Sequence, residues 1–258
     1  MGGAIARGLI AAGLGPRLVL IDPAIKAAEV RAFRAAGATT SGDAEAITGA
    51  PEALLLAVKP QLMPAVAPAY AAAAQKALVI SIAAGTPIET LSLMLKAPRA
   101  IVRAMPNLPA SIGKGISAAY ATPTTTTAQR KLAERLLRAT GDLVWLEGEE
   151  LLNAVTAVSG SGPAYVFLLA EALAAAGERV GLAPDIAKTL ARKTLEGAGA
   201  LLAASTLDPA ELRRSVTSPG GTTEAALKVL MTDSRFEQLL ADAVAAATAR
   251  GFELAKTR

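Results

Sequence analysis

Apolar positions fall in two different rhythms along the chain. Over the first 120 residues, short runs at 18–21, 53–58, 78–82 and 100–103 alternate with Ala-rich amphipathic stretches at 24–36, 61–74 and 86–95. Unbroken four- to six-residue apolar runs are the signature of strands buried on both faces, and helical spacing between them is the βαβ pattern of a parallel sheet. Runs at 116–119 and 143–146 predict two further strands, around a helix over 127–139. The Thr-rich 122–127 segment reads as a surface turn. Strand-like runs end near Gly148. Helices are predicted over 151–176, 184–204, 209–216, 221–231 and 234–255, with Pro184 and Pro209 suited to first turns. The pattern predicts an α/β domain built on a parallel sheet over 1–147 and an all-α domain over 148–258.

Composition narrows the chemistry. The 258 residues include neither Cys nor His. Thiolate nucleophiles, imidazole acid–base catalysis, Ser-His-Asp triads and ordinary zinc sites are therefore excluded, and so are disulfides. A reducing cytoplasm suits such a chain. The net charge is +4, but Lys and Arg are interspersed with acids, and three Tyr, four Phe and one Trp offer little for base stacking. Nucleic acid is not an expected partner; a phosphate-bearing small ligand is. Residues 151–170 carry no charge. Asn153, Pro163 and two Ser-Gly pairs within them, flanked by Glu149, Glu150 and Glu171, favour a buried helix at a subunit interface over a bilayer span.

Two clusters interrupt the helical half: Ser-Gly-Ser-Gly-Pro-Ala-Tyr at 159–165 and Thr-Ser-Pro-Gly-Gly-Thr-Thr at 217–223. Gly and Pro both weaken helices, so such clusters mark close backbone approach to a ligand or to another helix. The first suits helix packing and ligand contact equally. The second exposes successive N–H groups at the start of the 221–231 helix, a favourable seat for an anion. At the N-terminus, Met1-Gly2-Gly3-Ala4-Ile5-Ala6-Arg7-Gly8-Leu9 has the character of the first helix of a βαβ unit. Asp22 follows what reads as that unit's second strand.

Together with Ala57-Val58-Lys59-Pro60-Gln61, Ala83-Ala84-Gly85 and Arg103-Ala104-Met105-Pro106-Asn107-Leu108-Pro109, these clusters resemble pyrroline-5-carboxylate reductase, in order and over essentially the whole chain. The resemblance implies hydride transfer from NADPH or NADH to the C=N bond of L-1-pyrroline-5-carboxylate, giving L-proline, the last step of proline biosynthesis. The nicotinamide carries that chemistry, so a protein without His or Cys suffices. It further implies that Gly2, Asp22, Val58, Lys59, Pro60, Ala84, Gly85, Met105 and Asn107 line the cofactor. Ser218, Gly220, Gly221, Thr222 and Thr223 would form the substrate loop, with Thr223 bonded to the ring nitrogen and Glu149 shaping the site. The resemblance also implies that 1–147 is a Rossmann-type dinucleotide-binding domain, and that the chain forms a homodimer through the helical domain or a higher oligomer built from it, with no membrane partner and no metal.

The family pattern also implies a strand and two glycines ahead of Gly2, so translation is expected to begin upstream of Met1. Asp22 favours a ribose hydroxyl, hence NAD, whereas the family often uses NADP, whose 2′-phosphate Arg17 or Lys26 would meet. Two rivals remain. A β-hydroxyacid dehydrogenase relative needs a positioned Lys or His, and only Lys188 and Lys193 occupy the early helical half. A non-catalytic dimerisation or regulatory protein would have lost cofactor binding.

Overall fold

The computed structural model describes residues 1–256; the last two residues of the predicted helical domain lie outside them. The described residues form two compact units, 1–161 with 247–256, and 162–246.

In the first unit, α1 (Gly2–Ala11) precedes β1 (Val19–Ile21), α2 (Ala27–Ala35) and β2 (Thr39–Ser41). β3 (Ala53–Leu56), α3 (Met63–Val66), α4 (Ala71–Ala74), β4 (Leu78–Ser81), α5 (Ile88–Met94) and β5 (Ile101–Met105) follow, then β6 (Gly115–Ala121), α6 (Thr127–Leu137) and β7 (Gly141–Trp145). All six predicted strands are present within a few residues. β2 was not predicted, because Thr-Thr-Ser contains no apolar run. The predicted 61–74 helix is split into α3 and α4 by 3₁₀ turns at Pro60–Leu62 and Ala67–Tyr70. Pro64 and Pro68 withhold the N–H groups that a continuous helix needs.

β1 and β2 pair in parallel as one sheet, and β3-β4-β5-β6-β7 form a second. Among the described residues no strand joins the two sheets. β3, β4 and β5 run parallel, β6 is antiparallel to β5, and β7 is parallel to β6. The reversal follows from length. Nine residues link β5 to β6, too few for the helical crossover that a parallel neighbour requires, whereas α6 supplies one between β6 and β7.

Alternate residues of each strand enter opposite cores. Leu78, Ile80, Val102 and Ala104 pack with Ile5 and Leu9 of α1 and Ala133 and Leu137 of α6. Val79 and Ile101 pack on the other face with Met63, Ala67, Leu91 and Leu95. Each fully buried Leu or Ile contributes about 1.5–3 kcal/mol relative to its exposed state, so the two layers hold the sheet rigid. α1 also sends Ala6 into a small cluster with Phe33 and Ala38, linking it to the β1-β2 sheet. The Thr-rich segment has structural work: Thr122 Oγ1 accepts from Ile101 N–H, and Thr126 caps α6 in a capping box with Gln129.

α7 (Leu151–Val155) leaves the sheet and runs into a π-helical turn, Thr156–Gly160. The predicted continuous helix from 151 is thus interrupted at the Ser-Gly-Ser-Gly cluster, where Ser161 N–H reaches back five residues to Thr156 O at 2.8 Å.

The second unit is helical: α8 (Gly162–Arg179), α9 (Pro184–Ala204), α10 (Pro209–Ser215), α11 (Thr222–Met231) and the start of α12 (Arg235–Lys256). α8 and α9 pack through small residues, with Ala174, Ala187 and Ala191 buried and Gly177 facing Ala187. The stretch Leu151–Arg179 is long and apolar enough to cross a membrane by length and composition. In the single chain it is mostly exposed, with Val166, Phe167, Leu168 and Leu169 all open, as a helix that is covered only by a second subunit would be.

Candidate functional site

The predicted cofactor residues cluster where the chain leaves the carboxyl ends of three parallel strands, the crevice that open α/β sheets offer to a ligand. After β3, Val58 packs partly on the core, while Lys59 is exposed at the head of the Pro60–Leu62 turn. Lys59 has no ion-pair partner among the described residues, so its ammonium is available to a ligand. After β4, the backbone passes through Ala83, Ala84 and Gly85 to Thr86, whose buried Oγ1 has no hydrogen-bond partner among the described residues. After β5, Met105 is half-buried and Asn107 buried. Asn107 Oδ1 accepts from Ile116 N–H at 3.0 Å, pinning the turn to the start of β6.

Gly2 opens α1 directly against this crevice. A Cβ there would lie 2.9 Å from the Ala57 Cβ, so only glycine lets the helix start approach the β3 loop so closely. Close packing of this kind is the role of the last glycine in the G-x-G-x-x-G turn of a dinucleotide-binding βαβ unit. Asp22 is exposed and its Oδ1 accepts from Ala24 N–H at 2.8 Å, leaving the second oxygen open. Of the two cations proposed for a 2′-phosphate, Lys26 is exposed; Arg17 is engaged by Glu52.

Sequence reasoning missed Arg103. Its side chain is buried on β5 and forms an ion pair with Glu149. Glu149 Oε1 also accepts from Ile88 N–H at 2.7 Å, at the start of α5. An arginine inside an apolar strand was the available signal, since it is almost never buried without a partner. Also missed was the contact beneath the π turn, where a Cβ on Gly160 would lie 2.7 Å from the Met105 methyl.

In the second unit, Ser218 to Thr223 form the approach to α11. Gly220 takes φ 73° and Gly221 is the N-cap. Gly220 N–H is bonded to Glu224 Oε2 at 2.9 Å, and Ser218 O accepts from Gly221 N–H. Thr222 and Thr223 make no capping bond, and among the described residues no partner is found for either hydroxyl. Capping therefore does not consume them. Thr223 is half-buried and Thr222 exposed.

The first unit thus offers backbone loops and an exposed lysine around one crevice, and the second offers two threonine hydroxyls with no partner among the described residues, while the Gly220 and Gly221 N–H groups are already bonded within their loop. Among the described residues no cluster of acidic side chains suits a metal ion.

Comparison with known proteins agrees. The family described as pyrroline-5-carboxylate reductase dimerisation matches residues 149–254, and that of NADP oxidoreductase, coenzyme F420-dependent, matches residues 1–85. A pyrroline-5-carboxylate reductase from Pseudomonas aeruginosa is 47% identical over 83% of this chain and 78% of its own. The Glycine max reductase is 34% identical over 98% of this chain and 92% of its own. Among solved structures, a pyrroline-5-carboxylate reductase from Coxiella burnetii superimposes with a TM-score of 0.89 at 36% identity, covering 97% of this chain and 93% of its own. The Plasmodium falciparum enzyme, solved with NADP bound, gives 0.81 at 27% identity, covering 99% and 94%. With that identity and coverage, the chain belongs to the pyrroline-5-carboxylate reductase family.

Proposed function

We propose that this protein reduces L-1-pyrroline-5-carboxylate to L-proline with NAD(P)H, closing proline biosynthesis as a cytoplasmic enzyme. The observation that carries the proposal is the convergence of the Val58–Pro60, Ala84–Gly85 and Met105–Asn107 segments at the carboxyl ends of β3, β4 and β5. When bound there, the cofactor supplies the hydride.

The protein's own contribution is to seat and enclose. Gly2 and the loop after β3 bring backbone to the dinucleotide, Lys59 offers a donor to a ribose or phosphate oxygen, and Asp22 offers its unspent oxygen to a ribose hydroxyl. Ala84, Gly85, Met105 and Asn107 form the nicotinamide end. Whether the open Asp22 oxygen or Lys26 dominates decides between NADH and NADPH. In the helical unit, Ser218, Gly220, Gly221 and Thr222 hold the substrate carboxylate, with Thr223 Oγ1 donating to the ring nitrogen. Such orientation converts a slow encounter into an efficient transfer. Residues 1–147 form the cofactor domain and 148–258 the substrate and dimerisation domain, with a homodimer joined through the exposed apolar faces of the helices.

The test is steady-state turnover, followed by loss of reduced-nicotinamide absorbance. The wild-type chain is expected to consume NADPH or NADH with pyrroline-5-carboxylate. Thr223→Ala and Thr223→Val are expected to lose about 10²-fold in kcat/KM, the usual worth of one positioned proton donor. Wild-type kinetics in both variants would remove the role of the Thr223 hydroxyl.

A further inference from the structure

One carboxylate oxygen ties together two loops of the cofactor crevice. Glu149 Oε1 accepts from Arg103 Nη1 at 2.5 Å and from Ile88 N–H at 2.7 Å. Ile88 begins α5, three residues beyond Gly85; Arg103 lies on β5, two residues before Met105, and so shares that strand face with it. Arg103 is 8% exposed. A guanidinium cannot shed its charge there, and so it holds the carboxylate firmly. Glu149 itself stands just before α7, the helix that leads into the π turn against Met105.

We infer that Arg103 and Glu149 are positioning residues for hydride transfer: the pair fixes the Gly85 loop against the Met105–Asn107 turn, and thereby the seat of the nicotinamide. The inference rests on the reductase reading above and deepens it. Glu149 then shapes the site by acting through Arg103 and Ile88. Arg103, Glu149 and Ile88 all lie within one compact unit. A displacement of about 1 Å at such a seat is enough to cost about 100-fold in rate.

The experiment compares Arg103→Met, Glu149→Gln and their double variant with wild type, reading kcat, KM for each substrate, NADPH dissociation constant by cofactor fluorescence, and melting temperature. Glu149→Gln keeps an acceptor for Ile88 N–H and loses only the ionic link. It is expected to fold normally, to lose at least 10-fold in kcat, and to weaken NADPH several-fold, with the KM for pyrroline-5-carboxylate little changed. The double variant is expected to be no worse than the poorer single one, because both break the same link. Arg103→Lys is expected to recover part of the loss of Arg103→Met.

Wild-type kcat and NADPH affinity in folded Glu149→Gln would overturn the inference, as would a fall in melting temperature with unchanged kcat per folded molecule. If wild type itself neither bound NADPH nor turned over, the reductase reading would fail first and this inference with it.

Discussion

The two units solve the burial problem differently. In the first, two apolar layers clasp a sheet whose central strands are almost inaccessible: Val79, Ile80 and Val102 are at 0% exposure. In the second, buried apolar side chains are alanines, while Phe167, Leu168, Leu201, Leu202, Phe236, Leu239 and Leu240 remain exposed. Isolated exposed leucines are ordinary, but an unbroken series of large apolar residues along several helices marks an interaction surface. The first unit has a core of its own, whereas the helical unit leaves most of its large apolar side chains uncovered, in keeping with its match to a dimerisation family.

Charge placed on the exposed helical face is the strongest way to break this contrast. Phe167→Glu or Leu168→Glu is expected to give a monomer by light scattering, to lower the melting temperature by more than about 10 °C, and to abolish most turnover, because an unpaired charge is costly in a dry interface. A dimer of unchanged stability would show that the face lies elsewhere. Next in size is Gly8→Ala, in the first unit. The added Cβ would stand 2.4 Å from the Ala139 carbonyl oxygen, a backbone atom that cannot swing away. Overpacking of this kind costs about 1–3 kcal/mol, and the expectation is a lower urea midpoint with the dimer intact. A midpoint at the wild-type value would contradict the rigid seating of α1.

Much of this was legible in the chain. The central strands of the first unit were readable because both of their faces are buried, which leaves short, largely apolar runs such as 78–80 on β4 and Ile101 with Val102 on β5. β2 was not, since its Thr and Ser pair at a sheet margin without needing apolar side chains. Amphipathic spacing over 61–74 concealed Pro64 and Pro68, whose missing donors decide the local geometry. Lys59, Gly85, Met105 and Thr223 stood out as candidates because small and polar residues break the apolar pattern at the ends of strands and helices there. The Arg103–Glu149 link joins residues 46 apart, and nothing local in the sequence announces a partner at that distance. The π turn was equally hidden: Gly and Ser predicted an interruption, but not which carbonyl would be skipped.

The smallest effect concerns Thr86, beside the Gly85 loop. Its buried, unpaired hydroxyl carries a desolvation cost without a compensating bond. Thr86→Val removes that cost at nearly constant shape and is expected to raise stability by up to about 1 kcal/mol in urea unfolding. A loss of more than about 1 kcal/mol would mean the hydroxyl is satisfied in solution.

The most direct test of the central claim is transfer of a label. Protein incubated with pyrroline-5-carboxylate and reduced nicotinamide cofactor deuterated at C4 should yield L-proline carrying deuterium at C5, one for each cofactor oxidised, when the transferred position bears the label. Folded, dimeric protein that forms no proline, or forms it without the label from either C4-labelled epimer, would contradict the account.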